Sequence, residues 1–292
     1  LEKIIKEALK GKDTIYDYVP KAFNQKYRLL TKDASLEEIH APKDLSIVKK
    51  AKQKLIYEEL FVFMFKIQYL KSLKEQEVGI KKDIPMEKIK KFLETLPFSL
   101  TKDQQKAIKE GLADLNSSKR MNRLLLGDVG SGKTIVATTL LYANALSGYQ
   151  SAFMAPTEIL ALQHYESIRD LLKKTTIHIE YLVGSMSKKE KEKIADSVKK
   201  GEVDILIGTH AILNEKLYFK NLAFIVTDEQ HRFGVNQRSI LKEKGYLPDM
   251  LFMSATPIPR TFVLTIYGDM NTSLIKEKSN GRKEIITKIV KE

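Results

Sequence analysis

Gly127-Asp128-Val129-Gly130-Ser131-Gly132-Lys133-Thr134 is the stretch on which the fold class turns. It fits the phosphate-loop pattern, in which a glycine, four free residues and Gly-Lys-Ser/Thr follow in order. Glycines let the backbone curl until several N–H groups point into one cradle. The helix that follows adds the positive potential of its N-terminus. In this reading Lys133 reaches the β- and γ-phosphates of a nucleotide and Thr134 holds Mg²⁺. The plain alternative is a Gly-rich turn with a stray lysine. The fixed positions arise by chance in on the order of one chain in a hundred, so the flanking pattern decides.

That pattern is a strand before the loop and a helix after it. Outward from the loop, from about Phe98 onward, short apolar runs alternate with amphipathic stretches. Strands are expected at Arg123–Leu126, Ser151–Ala155, His178–Val183, Val203–Ile207, Phe224–Asp228 and Met250–Ser254. Helices are expected between them, at Thr134–Leu146, Glu158–Lys173 and Lys188–Lys199. The alternation predicts an α/β fold, with a mostly parallel sheet and helices on both faces. Ligands of such sheets sit at the carboxyl ends of the strands, and every motif named here falls at one. No internal repeat is visible.

The second anchor is Phe224-Ile225-Val226-Thr227-Asp228-Glu229-Gln230-His231. An apolar run ending in two acids describes a buried strand that delivers carboxylates to the sheet edge. Asp228 is expected to bind Mg²⁺ through its water shell. Glu229 is expected to orient or deprotonate an attacking water. Alone, such a pair is usually a solvated strand end. Downstream of a phosphate loop it reads as the second half of a nucleotide-hydrolysis site.

These residues resemble a known family. Asp228-Glu229-Gln230-His231 looks like the D-E-x-H box of superfamily 2 helicases, and Met253-Ser254-Ala255-Thr256-Pro257 is similar to their S-A-T segment. The resemblance implies that Gln230, His231, Ser254, Ala255 and Thr256 couple hydrolysis to movement on nucleic acid. Ala155-Pro156-Thr157 and Gly208-Thr209-His210 resemble the strand-end elements that touch the nucleic-acid backbone. DNA phosphates are accordingly expected at Pro156, Thr157, Gly184, Ser185, Gly208, Thr209 and His210. Leu100-Thr101-Lys102-Asp103-Gln104 resembles the element before the phosphate loop, which implies that Gln104 reads the adenine edge and Phe98 packs on the base. ATP would then be held by Phe98, Gln104, Gly127, Asp128, Val129, Gly130, Ser131, Gly132, Lys133 and Thr134. Lys133, Asp228 and Glu229 would act on it, with Mg²⁺ at Thr134 and Asp228.

Longer strings narrow the resemblance to the RecG family. They are Ala155-Pro156-Thr157-Glu158-Ile159-Leu160-Ala161, Asp228–Val235 and Ala255-Thr256-Pro257-Ile258-Pro259-Arg260-Thr261. Glu38-Ile39-His40-Ala41-Pro42 and Leu55-Ile56-Tyr57-Glu58-Glu59-Leu60 resemble the segment that joins that family's fork-binding wedge to its motor. The resemblance implies a helical linker over 1–95, a RecA-like P-loop lobe over 96–285 and the start of a connection over 286–292. RecG-like enzymes use ATP to move on duplex DNA, drive stalled forks backward and migrate Holliday junctions. A wedge and a second motor lobe carrying the arginine motifs are expected outside this chain, which begins at Leu1 rather than Met. By itself the chain is then expected to bind nucleotide and barely hydrolyse it. Two other readings stand beside this one. One is a double-stranded DNA translocase like the transcription-repair coupling factor. The other is a nucleotide- or DNA-binding module without turnover of its own.

The rest of the sequence is compatible with these expectations. The formal net charge of +13 favours polyanionic partners, DNA above all. Most of the basic residues are lysines spread along the chain, so charge alone argues weakly. There is no cysteine, which excludes disulfides and thiolate metal sites and suits a reducing bacterial cytoplasm. The most apolar stretch, Leu55–Leu70, is interrupted by Glu58, Glu59 and Lys66, whereas a membrane span needs about 20 mostly apolar residues. No signal peptide is visible. Leu45–Leu73 reads as a long helix with Pro42 and Asp44 at its start. Its apolar stripe runs through Val48, Ala51, Leu55, Ile56, Leu60, Phe63, Met64 and Ile67. His210 and His231 lack a third ligand at metal-site spacing. His40, His164 and His178 read as surface or packing residues.

Overall fold

A computed structural model describes residues 2–11, 15–42, 44–74, 78–214, 216–228, 248–255 and 270–277. Two compact units divide the chain, Leu1–Leu73 and Lys74–Glu292.

The first unit is helical, with α1 (Glu2–Leu9), α2 (Lys21–Lys26), α3 (Lys32–His40) and α4 (Leu45–Lys74). Asp44 starts α4 as its position predicts, accepting hydrogen bonds from the Ser46 N–H and hydroxyl. Of the apolar stripe only Ala51 is buried; the other buried residues among those described in α4 are Lys54 and Glu58, spaced so as to share one helix face with it. The Lys54 ammonium is fully buried and donates to Asp17 at 2.7 Å and to Asn24 at 3.1 Å. Lys32 pairs with Glu58 at 2.7 Å. Phe23, Tyr27, Tyr57 and Phe61 form a closed circuit of ring contacts, tilted except for the stacked Tyr57–Phe61 pair. Ile56 and Leu60 of the predicted stripe stay exposed. Within this unit, ion pairs and aromatic rings do the packing that apolar periodicity assigned to aliphatic side chains.

Among the described residues the second unit is built on a seven-stranded sheet in the order β3-β4-β2-β5-β6-β1-β7, parallel throughout. The strands are β1 (Asn122–Gly127), β2 (Gln150–Met154), β3 (Ile179–Leu182), β4 (Ile205–Gly208), β5 (Leu222–Asp228), β6 (Asp249–Ser254) and β7 (Asn271–Ile275). Between or before them lie α5 (Met86–Glu94), α6 (Lys102–Leu115), α7 (Lys133–Leu146), α8 (Glu158–Leu172), α9 (Lys188–Lys200) and a 3₁₀ turn, His210–Leu213. Successive strand residues point to opposite faces. Leu125, Phe153, Ile207, Val226 and Leu251 therefore join a core with α5–α8. Leu124, Leu126, Ala152, Ile225 and Phe252 join another, which includes Val198 of α9 and Ile212. The predicted strands and helices are present. β7 was not expected, and α5 lies with the sheet unit rather than with a linker ending at residue 95. Ile89 and Phe92 bury α5 in the first of these cores.

The segment before α5 is pinned to the sheet unit. Gly79 N–H donates to Ser118 O at 2.7 Å and Lys82 N–H to Leu115 O at 3.1 Å. The buried Lys82 ammonium pairs with Asp249 at the start of β6. Met121 N–H donates to the same carboxylate at 2.6 Å. Burial pushes the Asp249 carboxyl above the usual carboxylate range, despite Lys82 beside it. At the same end of the sheet Arg123 joins α6 to β7, donating to Asp114 at 2.7 Å, Glu110 at 3.1 Å and Ser273 at 2.8 Å. The amino edge of the sheet is thus cross-tied, and the opposite edge carries the motif residues.

Candidate functional site

β1 ends at Gly127 and α7 begins at Lys133, so the phosphate-loop sequence forms the turn between them. Gly130 and Gly132 adopt positive φ (77° and 83°), which side chains disfavour. Gly127 gives the loop close approach, because a Cβ there would lie 2.4 Å from Ser131 Oγ and displace that hydroxyl, with Ile275 O next at 3.3 Å. The Lys133 ammonium folds back over the loop, donating to Gly127 O at 2.7 Å and Asp128 O at 3.0 Å. Ser131 Oγ is buried without a hydrogen-bond partner among the described residues. An orphaned hydroxyl at the floor of a glycine cradle fits a polar ligand.

Gln104 sits against this loop. Its Nε2 donates to Ser131 O at 2.8 Å, and its Oε1 accepts from Thr101 N–H at 2.9 Å. Thr101 Oγ1 in turn accepts from Gln104 N–H, closing a capping box at the head of α6. The side chain expected to read an adenine edge therefore holds two backbone groups, one of them in the phosphate loop. Phe98 is exposed on the preceding segment. It borders an apolar groove of about 1020 Å³ lined also by Ile89, Leu93, Ile108 and Leu112. Gln104 does not line that groove, so the two expected base contacts face different surroundings.

Asp228 closes β5, one strand removed from β1 across β6. The register places Asp228 beside Met253, and Leu126 beside Ser254. Asp228, Ser254 and the phosphate loop therefore share one edge. Ser254 is buried and Ala255 follows it. Glu229, Gln230, His231 and Thr256 lie outside the described residues. One contact here was not foreseen, since His164 of α8 meets Asp228, Nε2 to Oδ2, at 2.8 Å. No local sequence pattern marks His164, and its partner is distant in sequence.

The other half of this edge gathers the expected nucleic-acid contacts. Ala155 N–H donates to Gly208 O at 2.9 Å, and Thr209 N–H to Leu182 O at 3.3 Å. These bonds align the ends of β2, β4 and β3. Glu158 then fastens the turn after β3, accepting from Ser185 N–H at 2.9 Å and from the Ser185 hydroxyl at 2.5 Å. Those bonds, the hydroxyl's first, hold its carboxyl below the usual range. Thr157, Gly184, Ser185 and His210 are exposed and Pro156 is half-buried. Thr209 faces inward at 1% exposure, so at this strand end the side chain that reaches solvent is His210. Gly208 has a structural duty of its own, because a Cβ would lie 1.9 Å from Leu182 O. Gly208→Ala is expected to cost about 1–3 kcal/mol by forcing β3 from β4. Urea unfolding of the variant measures this, and wild-type stability would contradict the steric argument.

Residues 101–263 match the DEAD/DEAH box helicase family. This chain belongs to that family. The match starts at the cap of α6 and takes in the phosphate loop, Pro156-Thr157, Asp228 and Ser254, the residues just placed along one sheet edge. Within the family the chain is 43% identical, over all its length, to the ATP-dependent DNA helicase RecG of Bacillus subtilis (strain 168), and spans 43% of it. It is 47% identical over 92% of its length to the RecG of Borreliella burgdorferi, spanning 39% of that protein. A solved structure of RecG bound to a three-way DNA junction superposes with a TM-score of 0.80. It is 41% identical, and the match covers 97% of this chain and 38% of the other. The chain thus spans less than half the length of these relatives. Among the described residues no helix is long and apolar enough to cross a membrane.

Proposed function

We propose that this chain is the ATP-binding portion of a RecG-type DNA helicase that remodels forks and junctions in DNA repair and recombination. The carrying observation is the likeness, over 97% of the chain, to a RecG solved on a three-way DNA junction. The sheet unit would serve as the first motor lobe, and the helical unit as a strut between it and the rest of the enzyme. Lys133 and the loop N–H groups would bind the β- and γ-phosphates of ATP. Thr134 and Asp228 fit Mg²⁺, a hard cation that takes few protein oxygens and shares the substrate's phosphates. Among the described residues no group of three or more metal-binding side chains competes with them. Bound Mg²⁺ neutralises charge that develops on the transferred phosphoryl group. Glu229 would place the attacking water. Gln104 would hold the loop in shape through Ser131 O, with its second amide N–H and second carbonyl lone pair left for a base.

The ends of β2, β3 and β4 would track the DNA backbone, through Pro156, Thr157, Gly184, Ser185, Gly208, Thr209 and His210. Phosphate contacts are indifferent to sequence, as a motor must be, and release counterions. Binding of duplex or forked DNA by the chain is expected to weaken steeply with salt and to vary little with sequence, measured by fluorescence anisotropy. The intact gene product should release phosphate faster with forked DNA and regress the fork. A flat salt response, or ATP turnover indifferent to DNA, would count against the proposal.

A further inference from the structure

We infer that His164 is a positioning residue which fixes the Asp228 carboxylate and thereby sets the Mg²⁺ affinity of the site. The inference rests on the reading of Asp228 as the Mg²⁺-binding acid. His164 Nε2 meets Asp228 Oδ2 at 2.8 Å, and both side chains are largely covered, at 13% and 15% exposure. The ring is held from a second side by Phe153, at 4.6 Å between centroids. Phe153 is fully buried in β2, whose register with β5 sets Phe153 beside Val226 and Met154 beside Thr227. The imidazole therefore packs, tilted at 47° to the Phe153 ring, on the strand next to the one that carries its partner.

The helix that presents the ring is equally constrained. Ala161 and Ile168 of α8 are fully buried on either side of His164. Thr157 caps the helix, accepting from Leu160 N–H, and Glu158 ties its first turn to Ser185. A histidine on a mobile surface helix would be an ordinary packing residue. Here a fixed ring grips one oxygen of a carboxylate at a strand end and limits its rotation. Groups that orient a metal-binding carboxylate in this way typically change metal affinity 10- to 100-fold when removed.

The test uses the 292-residue chain and titrates ADP calorimetrically, with Mg²⁺ and with EDTA in its place. His164→Leu keeps apolar packing on Phe153 and loses the nitrogen. His164→Gln returns a nitrogen at about the reach of Nε2, and His164→Asn puts one where Nδ1 was. His164→Leu and His164→Asn are expected to need at least 10-fold more Mg²⁺ for half-maximal effect on ADP binding. Their ADP affinity in EDTA should stay that of the wild type, and His164→Gln should stay within about threefold in Mg²⁺ requirement. A merely structural role would not separate these measurements. If His164→Leu does not fold, the comparison of His164→Asn with His164→Gln decides. A wild-type Mg²⁺ requirement in the Leu or Asn variant overturns the inference, as does loss in the Gln variant equal to theirs. Asp228→Asn, run alongside, separates the two levels. If it abolishes the Mg²⁺ effect while the His164 variants do not, the inference alone fails. If it changes nothing, the reading of Asp228 falls and the inference with it.

Discussion

Lys133→Ala is expected to bind ADP or ATP about 10- to 150-fold more weakly than wild type, with its unfolding midpoint little changed. The fold-change follows from losing about 1.5–3 kcal/mol of charge-assisted hydrogen bonding to phosphate. In the structure the ammonium donates to Gly127 O and Asp128 O, so it already lies within the loop. Nucleotide binding then requires only an exchange of acceptors, from two carbonyls to phosphate oxygens. The alanine variant loses a local contact on the loop and no part of the core, which is why its stability should hold. Isothermal titration of both proteins with Mg·ADP measures the affinities, and thermal unfolding supplies the control. Equal affinities would mean that the loop binds phosphate through its backbone alone.

A comparably large effect is expected far from any ligand. Lys82→Met should destabilise the sheet unit by about 3–5 kcal/mol, because it leaves the Asp249 carboxylate buried without its cation. For a unit of this size the unfolding midpoint should fall by roughly 6–20 °C. Lys82 and Asp249 are both almost wholly buried, and burial already pushes the Asp249 carboxyl upward. Lys82→Met combined with Asp249→Asn should recover more than half of the loss. The amide removes the stranded charge and keeps an oxygen for Met121 N–H. Chemical denaturation of the two variants decides the matter. A cost below about 1 kcal/mol for Lys82→Met would show that solvent reaches the pair.

The parts of this molecule that were legible in advance announce themselves locally. The glycines of the loop are needed at positive φ or at close approach, and apolar runs bounded by turns mark the buried strands. β7 was missed because Asn271-Thr272-Ser273-Leu274-Ile275 is an edge strand with only Ser273 and Ile275 inward. Ser273 is there to meet Arg123, a polar reason that hydrophobic periodicity does not register. The expected boundary at residue 95 came with the resemblance. What decides it is the burial of Ile89 and Phe92 of α5 in the sheet unit's core. Pairs such as His164–Asp228, Lys82–Asp249 and Lys54–Asp17 were invisible for one common reason. A charged residue does not advertise its burial, and its partner is chosen by topology rather than by spacing. Gln104 was named through the resemblance of Leu100–Gln104 to a family element, whereas its capping box and its grip on Ser131 O belong to the folded structure.

The strand order has a consequence for how the molecule comes into being. Among the described strands β1 is the first made, yet its two neighbours, β6 and β7, are the last. During synthesis β2, β3, β4 and β5 can pair among themselves while β1 waits with both edges open. The phosphate loop at its end has no settled floor until Ile275, which pairs with Gly127, has left the ribosome. Closing such long-range parallel pairs is intrinsically slow and leaves strand edges exposed meanwhile. In a nascent chain of this sequence the ends of β2, β3 and β4 can thus come together before the sheet edge around the phosphate loop is complete. The cradle of the phosphate loop is completed only when β7, the last of the described strands, docks beside β1.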